Sequence, residues 1–218
     1  VTPDELCERY GADAFRLYEM FMGPLSQTKP WDPQGIQGTY QFLRRLWRFL
    51  GGEAGQPAFS EEEPTPEELR ILHHTIRRVT EDLERLSLNT CVSHFMIFLN
   101  EMQRLECRKK AIWQPFLVIF EPFAPHLAHE LWERMGQATP LWEAPWPEWQ
   151  EAYLKQKEVE YPVSVNGKLR FHIRLAAEAA PDEIEARVLA DERLARYTQG
   201  RPIRRVVVVP GKIVNVVV

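Results

Sequence analysis

Two histidines three residues apart, His126 and His129 in His126-Leu127-Ala128-His129-Glu130, have a spacing that could place two metal ligands on one helix face. The glutamate falls in the wrong place for either zinc-protease motif, and no third ligand accompanies the pair. Packing at a helix terminus is therefore the expected role. His73 and His74 are adjacent, which on a helix turns them to different faces, toward solvent or hydrogen bonds. Cys7, Cys91 and Cys107 lack a C-x-x-C spacing and sit in helical, partly apolar contexts, so they read as reduced core thiols. There is no Gly-rich phosphate loop after a strand and no G-x-S-x-G elbow. The expectation is no catalytic residue, no metal ligand and no cofactor in this chain.

What the sequence does carry is positive charge beside aromatic rings. One set is Arg44, Arg45, Arg48, Arg77, Arg78, Arg85, Arg104, Arg108, Lys109 and Lys110; the other is Lys168, Arg170, Arg174, Arg201, Arg204, Arg205 and Lys212. Such groups hold phosphates by an attraction that is largely independent of sequence. The net charge of -4 hides an asymmetry. Residues 155–218 carry 12 Lys+Arg against 8 Asp+Glu, a net of +4, whereas residues 1–154 carry 15 against 23, a net of -8. A polyanion partner fits the C-terminal segment better. Lys168 and Arg170 flank one turn and Lys212 follows Pro210-Gly211 at another, where side chains can reach an RNA backbone.

These residues need elements to hold them. Ile36, Tyr40, Leu43, Trp47 and Leu50 recur at steps of 4, 3, 4 and 3, one stripe of a helix. Gly51-Gly52 ends it, and a Gly/Pro/Glu stretch to Pro64 reads as a loop. Thr65-Pro66-Glu67-Glu68 has the form of a capping box, opening a helix on Leu69, Leu72, Ile76, Val79, Leu83 and Leu86. Further helices are expected from Leu88 to about Leu105, from Lys110, and over His126–Met135 beyond Pro122 and Pro125. Helices with short connections indicate an antiparallel bundle. Trp142, Trp146 and Trp149 alternate with prolines in a strip expected to pack over the bundle's end. Past the charged Glu151–Glu158 the period becomes two, with Tyr161, Val163 and Val165 before Asn166-Gly167 and Leu169, Phe171 and Ile173 after it, a hairpin signature. A two-residue turn sets Val163 opposite Arg170, so a wider loop or a bulge is expected. A helix from Pro181 and two strands, Ile203–Val209 and Lys212–Val218, complete the reading: mainly α, an antiparallel helical bundle followed by a small α+β domain.

The order of segments resembles the C-terminal part of the bacterial leucyl-tRNA synthetase family. Glu8-Arg9-Tyr10-Gly11-Ala12-Asp13-Ala14-Phe15-Arg16 is similar to the segment that follows that family's KMSKS signature. Trp31, Gly35-Ile36-Gln37-Gly38 and Phe42-Leu43-Arg44-Arg45-Leu46-Trp47-Arg48 resemble the first helix of its anticodon-binding bundle. Pro122-Phe123-Ala124-Pro125-His126, Glu130-Leu131-Trp132 and Ala144-Pro145-Trp146-Pro147 resemble its last ones. Isoleucyl, valyl and methionyl relatives share those motifs. The leucine assignment rests on the tail, Val165-Asn166-Gly167-Lys168-Leu169-Arg170 and Arg204-Arg205-Val206-Val207-Val208-Val209-Pro210-Gly211-Lys212-Ile213-Val214-Asn215.

The resemblance implies a division into residues 1–32, a helical connector after a catalytic domain; 33–150, an anticodon-binding-type bundle; 151–158, a linker; and 159–218, a small tRNA-binding domain. It implies a cytoplasmic, monomeric parent that ligates leucine to tRNA(Leu) with ATP and Mg, whose catalytic and editing domains lie outside this chain. The opening Val1-Thr2-Pro3-Asp4 without an initiator Met fits a fragment or a processed protein. Lys168, Arg170, Arg201, Arg204, Arg205 and Lys212 would meet phosphates at the tRNA elbow, and Arg44, Arg45 and Arg48 the inner side of the stem. Phe171-His172 is bulkier than the residues common there. A separately encoded tRNA-binding subunit, the same region of an isoleucyl or valyl relative, and a module repurposed to bind protein are the alternatives.

Overall fold

The computed structural model describes residues 2–24, 26–32, 34–51, 59–154, 158–177, 179–198 and 200–218. Val1, residues 52–58 of the loop expected up to Pro64, and residues 155–157 of the linker expected over 151–158 lie outside the described residues; the rest of that linker is helical over Glu151–Leu154 and enters a strand at Glu158. The chain divides into two compact units, Val1–Leu154 and Lys155–Val218.

The first unit is helical: α1 Pro3–Tyr10, α2 Ala12–Phe21, α3 Ile36–Gly51, α4 Pro66–Glu84, α5 Leu88–Arg104, α6 Lys110–Phe120, α7 Pro125–Arg134 and the short α8 Glu151–Leu154. The capping box at Thr65 forms as its residues dictate. The Thr65 hydroxyl accepts the Glu68 N–H, the Glu68 carboxylate accepts the Thr65 N–H, and Pro66 takes the first helical position. The same device opens α1 at Thr2 and Glu5. In α4, Leu72, Ile76 and Val79 are buried as expected. Leu86 is not: the helix stops at Glu84, and Leu86, at φ 55°, is 63% exposed.

The buried face of α3 is also turned from the one its spacing implied. Ile36, Thr39, Phe42, Leu43, Leu46 and Leu50 are buried, whereas Tyr40 and Trp47 lie half-buried at its margin. A strict 4-3 stripe suits one partner helix, but α3 packs against α2, α5 and α7 and needs a wider apolar arc. The guanidinium of Arg134 covers Trp47 at 4.3 Å. At the centre of the bundle Phe95, Phe98, Trp113, Phe116 and Phe120 are fully buried ring against ring.

Neither histidine pair assembles a metal site. His126 Nδ1 lies 2.8 Å from Asp13 Oδ1, and His129 Nε2 lies 3.5 Å from Glu121. No group of three His, Cys, Asp or Glu able to hold a metal occurs among the described residues. Asp13 instead caps α7 from α2: its carboxylate accepts the N–H groups of His126 at 3.3 Å and Leu127 at 2.8 Å. A buried anion at a helix N-terminus satisfies orphan donors and meets the positive end of the helix dipole. Asp13→Ala is expected to destabilise this unit by about 2 kcal/mol, since two donors lose their acceptor. An unchanged urea midpoint would refute the cap's role.

His73 Nδ1 accepts the Gln150 N–H at 3.1 Å, its ring stacks on Tyr153 at 4.6 Å, and burial lowers its pKa. Trp146 Nε1 donates to Thr80 at 2.9 Å. From Trp146 to Gln150 the tryptophan–proline strip thus runs along α4, which supplies the acceptors that an indole N–H and an irregular backbone need, whereas Trp142 lies 5.1 Å from His129 of α7. Burial pushes the Cys91 thiol up to about 12 and Cys107 to about 11, which keeps both protonated.

The second unit is one four-stranded sheet with two helices. Its elements are β1 Glu158–Val165, β2 Lys168–Ala176, α9 Pro181–Leu189, α10 Glu192–Thr198, β3 Arg205–Val209 and β4 Ile213–Val217, in the strand order β2-β1-β4-β3. β4 runs parallel to β1 and antiparallel to β3. Tyr161, Val163, Val165, Phe171, Ile173, Leu175, Val214 and Val216 share a core with Ile184, Val188 and Leu194 of the helices. Asn166 and Gly167 have φ of 49° and 77°, the two positive values of a type I′ turn. Val165 therefore pairs with Lys168, the two-residue register. A bulge then lets Val163 face Phe171 and Ser164 face Leu169, leaving Arg170 as the extra residue. Turn and core are both satisfied. The turn chemistry keeps its register and the bulge restores the Val163–Phe171 pairing, but Leu169, expected in the same apolar row and opposite Val165, faces Ser164 and is 56% exposed.

Candidate nucleic-acid interface

A surface that holds a polyanion gains most from cations with no carboxylate of their own. Much of the bundle's positive charge fails that condition. Arg77 pairs with Glu81 at 2.8 Å, Arg104 bridges Glu67 and Glu101 at 2.6 and 2.8 Å, and Lys109 pairs with Glu68 at 3.0 Å. Arg108 lies over the Phe49 ring.

Arg44, Arg45 and Arg48 are exposed on α3. Arg45 donates to Asn100 and Gln103, both at 2.6 Å, so it ties α3 to α5. Arg44 lies 5.7 Å from the Tyr40 ring centre, Tyr40 meets Tyr10 edge-on at 5.5 Å, and Arg9 lies 5.0 Å from the Tyr10 ring. Gln37 donates to the Tyr10 hydroxyl at 3.2 Å. Arg9, Tyr10, Tyr40 and Arg44 thus share a surface, with Arg48 one turn beyond Arg44. Sequence spacing could flag Tyr40 and Arg44, four apart on one helix. Arg9 and Tyr10 reach that surface only through the α1–α3 packing, which no local pattern announces.

In the second unit Lys168, Arg170, Arg201, Arg204, Arg205 and Lys212 are all exposed. None has a carboxylate oxygen within 4 Å among the described residues, where the unit's ion pairs are Arg174–Glu160 and Arg193–Asp191. They are not one cluster. Lys168, at the β1–β2 turn, and Arg204 and Arg205, at the start of β3, occupy one end of the sheet: Arg204 N–H donates to Val217 O, and Asn166 N–H to Val216 O. That end is held shut by Asn215, which accepts the Gly167 N–H at 3.0 Å, and by Asn166, which accepts the Val218 N–H at 3.1 Å. Lys212 sits at the other end of β4, roughly 15 Å away along the strand. Arg201 stands in the loop after α10.

Arg170 leaves the others altogether. Its guanidinium lies 5.2 Å from the ring of Tyr197, which stacks on Phe171 at 6.2 Å, and Arg193 covers Phe171 at 4.6 Å. The bulge delivers Arg170 to this four-part stack on the α10 side. Arg187 and Arg193, which sequence reasoning did not single out, belong to the same side of the unit. Their place in helical turns next to acidic residues reads locally as a solvated face.

The family described as the anticodon-binding domain of tRNA ligases matches residues 68–186. Leucine–tRNA ligase of Cytophaga hutchinsonii is 46% identical over 217 residues, 100% of this chain and 24% of that protein. The leucine–tRNA ligase of Parabacteroides distasonis is 46% identical over 218 residues, 100% of this chain and 23% of that protein. The chain thus spans about a quarter of the length of these relatives. Among solved structures, the ternary LeuRS–tRNA–LeuAMS complex of Agrobacterium radiobacter K84 agnB2 superposes with a TM-score of 0.69 at 25% identity, over 100% of this chain and 30% of that one.

Proposed function

The chain belongs to the anticodon-binding domain family of tRNA ligases, and on that premise we propose that it is the tRNA-holding part of a leucine–tRNA ligase. Its work is binding. Residues 159–218 hold phosphates of the tRNA elbow and variable arm, and the bundle at 33–150 supports the tRNA body. The 1–32 connector joins these parts to the rest of a monomeric, cytoplasmic ligase, and the linker within 151–158 joins the bundle to the small domain. The ATP- and Mg-dependent joining of leucine to tRNA(Leu) takes place in that remainder. No helix among the described residues is long and apolar enough to cross a membrane.

One observation carries the reading. Six exposed cations of the second unit, Lys168, Arg170, Arg201, Arg204, Arg205 and Lys212, have no carboxylate partner among the described residues, in a chain whose net charge is -4. Unpaired arginines and lysines at turns and strand ends gain by replacing counterions around RNA phosphates. On α3, Arg48 and the Arg9–Tyr10–Tyr40–Arg44 surface suit direct contact, whereas Arg45 acts by fixing α3 against α5.

Arg205→Ala and Lys212→Ala are each expected to weaken binding of a tRNA(Leu) transcript and to flatten its salt dependence by about one phosphate contact, a slope change of about 0.7–0.9. Filter binding between 50 and 300 mM salt, about the range where such slopes are linear, reads both. Unchanged affinity and slope in both variants would remove these residues from the interface.

A further inference from the structure

β2 is an edge strand, and along its free edge lies a groove of about 510 Å³. One wall is His172 to Leu175; the other is Arg187 and the α9–α10 corner with Asp191 and Arg193. Its charges do not cancel. Asp191 is used up by Arg193, which donates through Nε at 2.9 Å and Nη2 at 2.7 Å, and this hydrogen bonding holds the Asp191 carboxyl below its ordinary pKa. Arg193 Nη2 also donates to His172 O at 3.2 Å. Arg174 meets Glu160 only at 3.5 Å, with both side chains more than half exposed. Arg187 has no carboxylate within 4 Å among the described residues, and Glu192 is the one acid on the rim with no cation within 4 Å among them.

We propose that this groove is a second phosphate-binding site, taking a stretch of RNA backbone between Arg174 and Arg187 with Arg193 as a fixed donor wall. The proposal rests on the tRNA-holding reading and adds a separate contact to it. Three features favour a phosphodiester over a peptide strand added to the β2 edge. Arg193 already occupies the His172 carbonyl, one of the acceptors an added strand would use. The bulge at Arg170 breaks the regular ladder farther along the same edge. Planar guanidinium forks match phosphate oxygens two at a time, and Arg193 is pre-ordered by Asp191, His172 and Phe171. The site is distinct from Arg204 and Arg205. Those lie on the β3 side, three strand spacings or about 14 Å across the sheet. The unit therefore presents cations along two opposite margins, an arrangement that serves an RNA touching it at more than one place.

The test compares the full chain with its Arg174→Ala/Arg187→Ala and Arg174→Lys/Arg187→Lys variants, using a tRNA(Leu) transcript. The alanine pair is expected to lower affinity about 10- to 30-fold near 0.15 M salt and to cut the salt slope by about two contacts, while the lysine pair keeps most of the slope. Phosphate-ethylation interference should lose one patch of contacts in the alanine pair and a different patch in Arg204→Ala/Arg205→Ala. Thermal unfolding unchanged in all variants separates lost contact from lost fold. A slope equal to wild type in the alanine pair, with Arg205→Ala and Lys212→Ala still shallower, overturns the groove and leaves the tRNA-holding reading intact. Failure of the wild-type chain to bind the transcript overturns both. Polyglutamate binding that depends on Arg174 and Arg187, with RNA binding that does not, overturns the proposal in favour of an acidic protein partner.

Discussion

Lys109→Met is expected to cost the helical unit about 3–5 kcal/mol, because it leaves the buried Glu68 carboxylate without its ammonium partner. The pair is 3.0 Å apart, with side chains 12% and 5% exposed. Lys109 also donates to the Glu63 carbonyl at 3.1 Å, so the same ammonium pins the chain leading into α4. Burial acts to raise the Glu68 pKa, but the Thr65 N–H, Lys109, and hydrogen bonds from Cys107 and the Thr65 hydroxyl outweigh it, and the net shift is downward. A carboxyl whose folded pKa is depressed contributes stability above its unfolded pKa and loses it as pH falls through the folded one. The wild type should therefore soften on acidification below the ordinary glutamate range. The variant's deficit should shrink over the same range, since protonated Glu68 no longer needs a cation. Urea midpoints at neutral and acidic pH check this; a deficit independent of pH would rule out the ion pair as its origin.

Phe116→Ala should cost a comparable amount, about 3–5 kcal/mol, from lost transfer energy and the cavity left behind. Phe116 is fully buried and stacks on Phe98 at 4.3 Å and on Phe120 at 5.4 Å, with Phe95 and Trp113 edge-on at 5.8 and 5.2 Å. Phe116→Leu refills much of the space and should recover more than half of the loss. Calorimetry on both variants reads the difference. Equal losses would mean that the surrounding helices collapse onto the gap. Because the two units have separate cores, the tryptophan-free C-terminal sheet should keep its own hydrogen-exchange protection in either variant.

Local chemistry is what the sequence discloses well. The Thr65 capping box, the Pro122 and Pro125 break between α6 and α7, and the Asn166-Gly167 turn are decided by residues a few positions apart, and each forms. Decisions made across distance are less visible. The buried arc of α3 depends on three neighbours, so its spacing alone pointed Tyr40 and Trp47 too far inward. The strip with Trp146 and Trp149 found acceptors on α4 that no periodicity reveals. The candidate interface divides in the same way. That Lys168 and Lys212 stand at turns is legible; that Arg45 is spent on Asn100 and Gln103, and that a bulge sends Arg170 to Tyr197, is a result of packing.

The position of β4 sets an order of events during synthesis. It comes last in chain order among the described strands, yet it lies between β1 and β3 and supplies Val214 and Val216 to the core. Until it leaves the ribosome, the β1–β2 hairpin has both margins unpaired and β3, which packs against α9, has no strand neighbour. The helical unit, complete some sixty residues earlier by the division at Leu154, can mature while the sheet waits. The nascent hairpin therefore passes through an interval with apolar strand edges exposed.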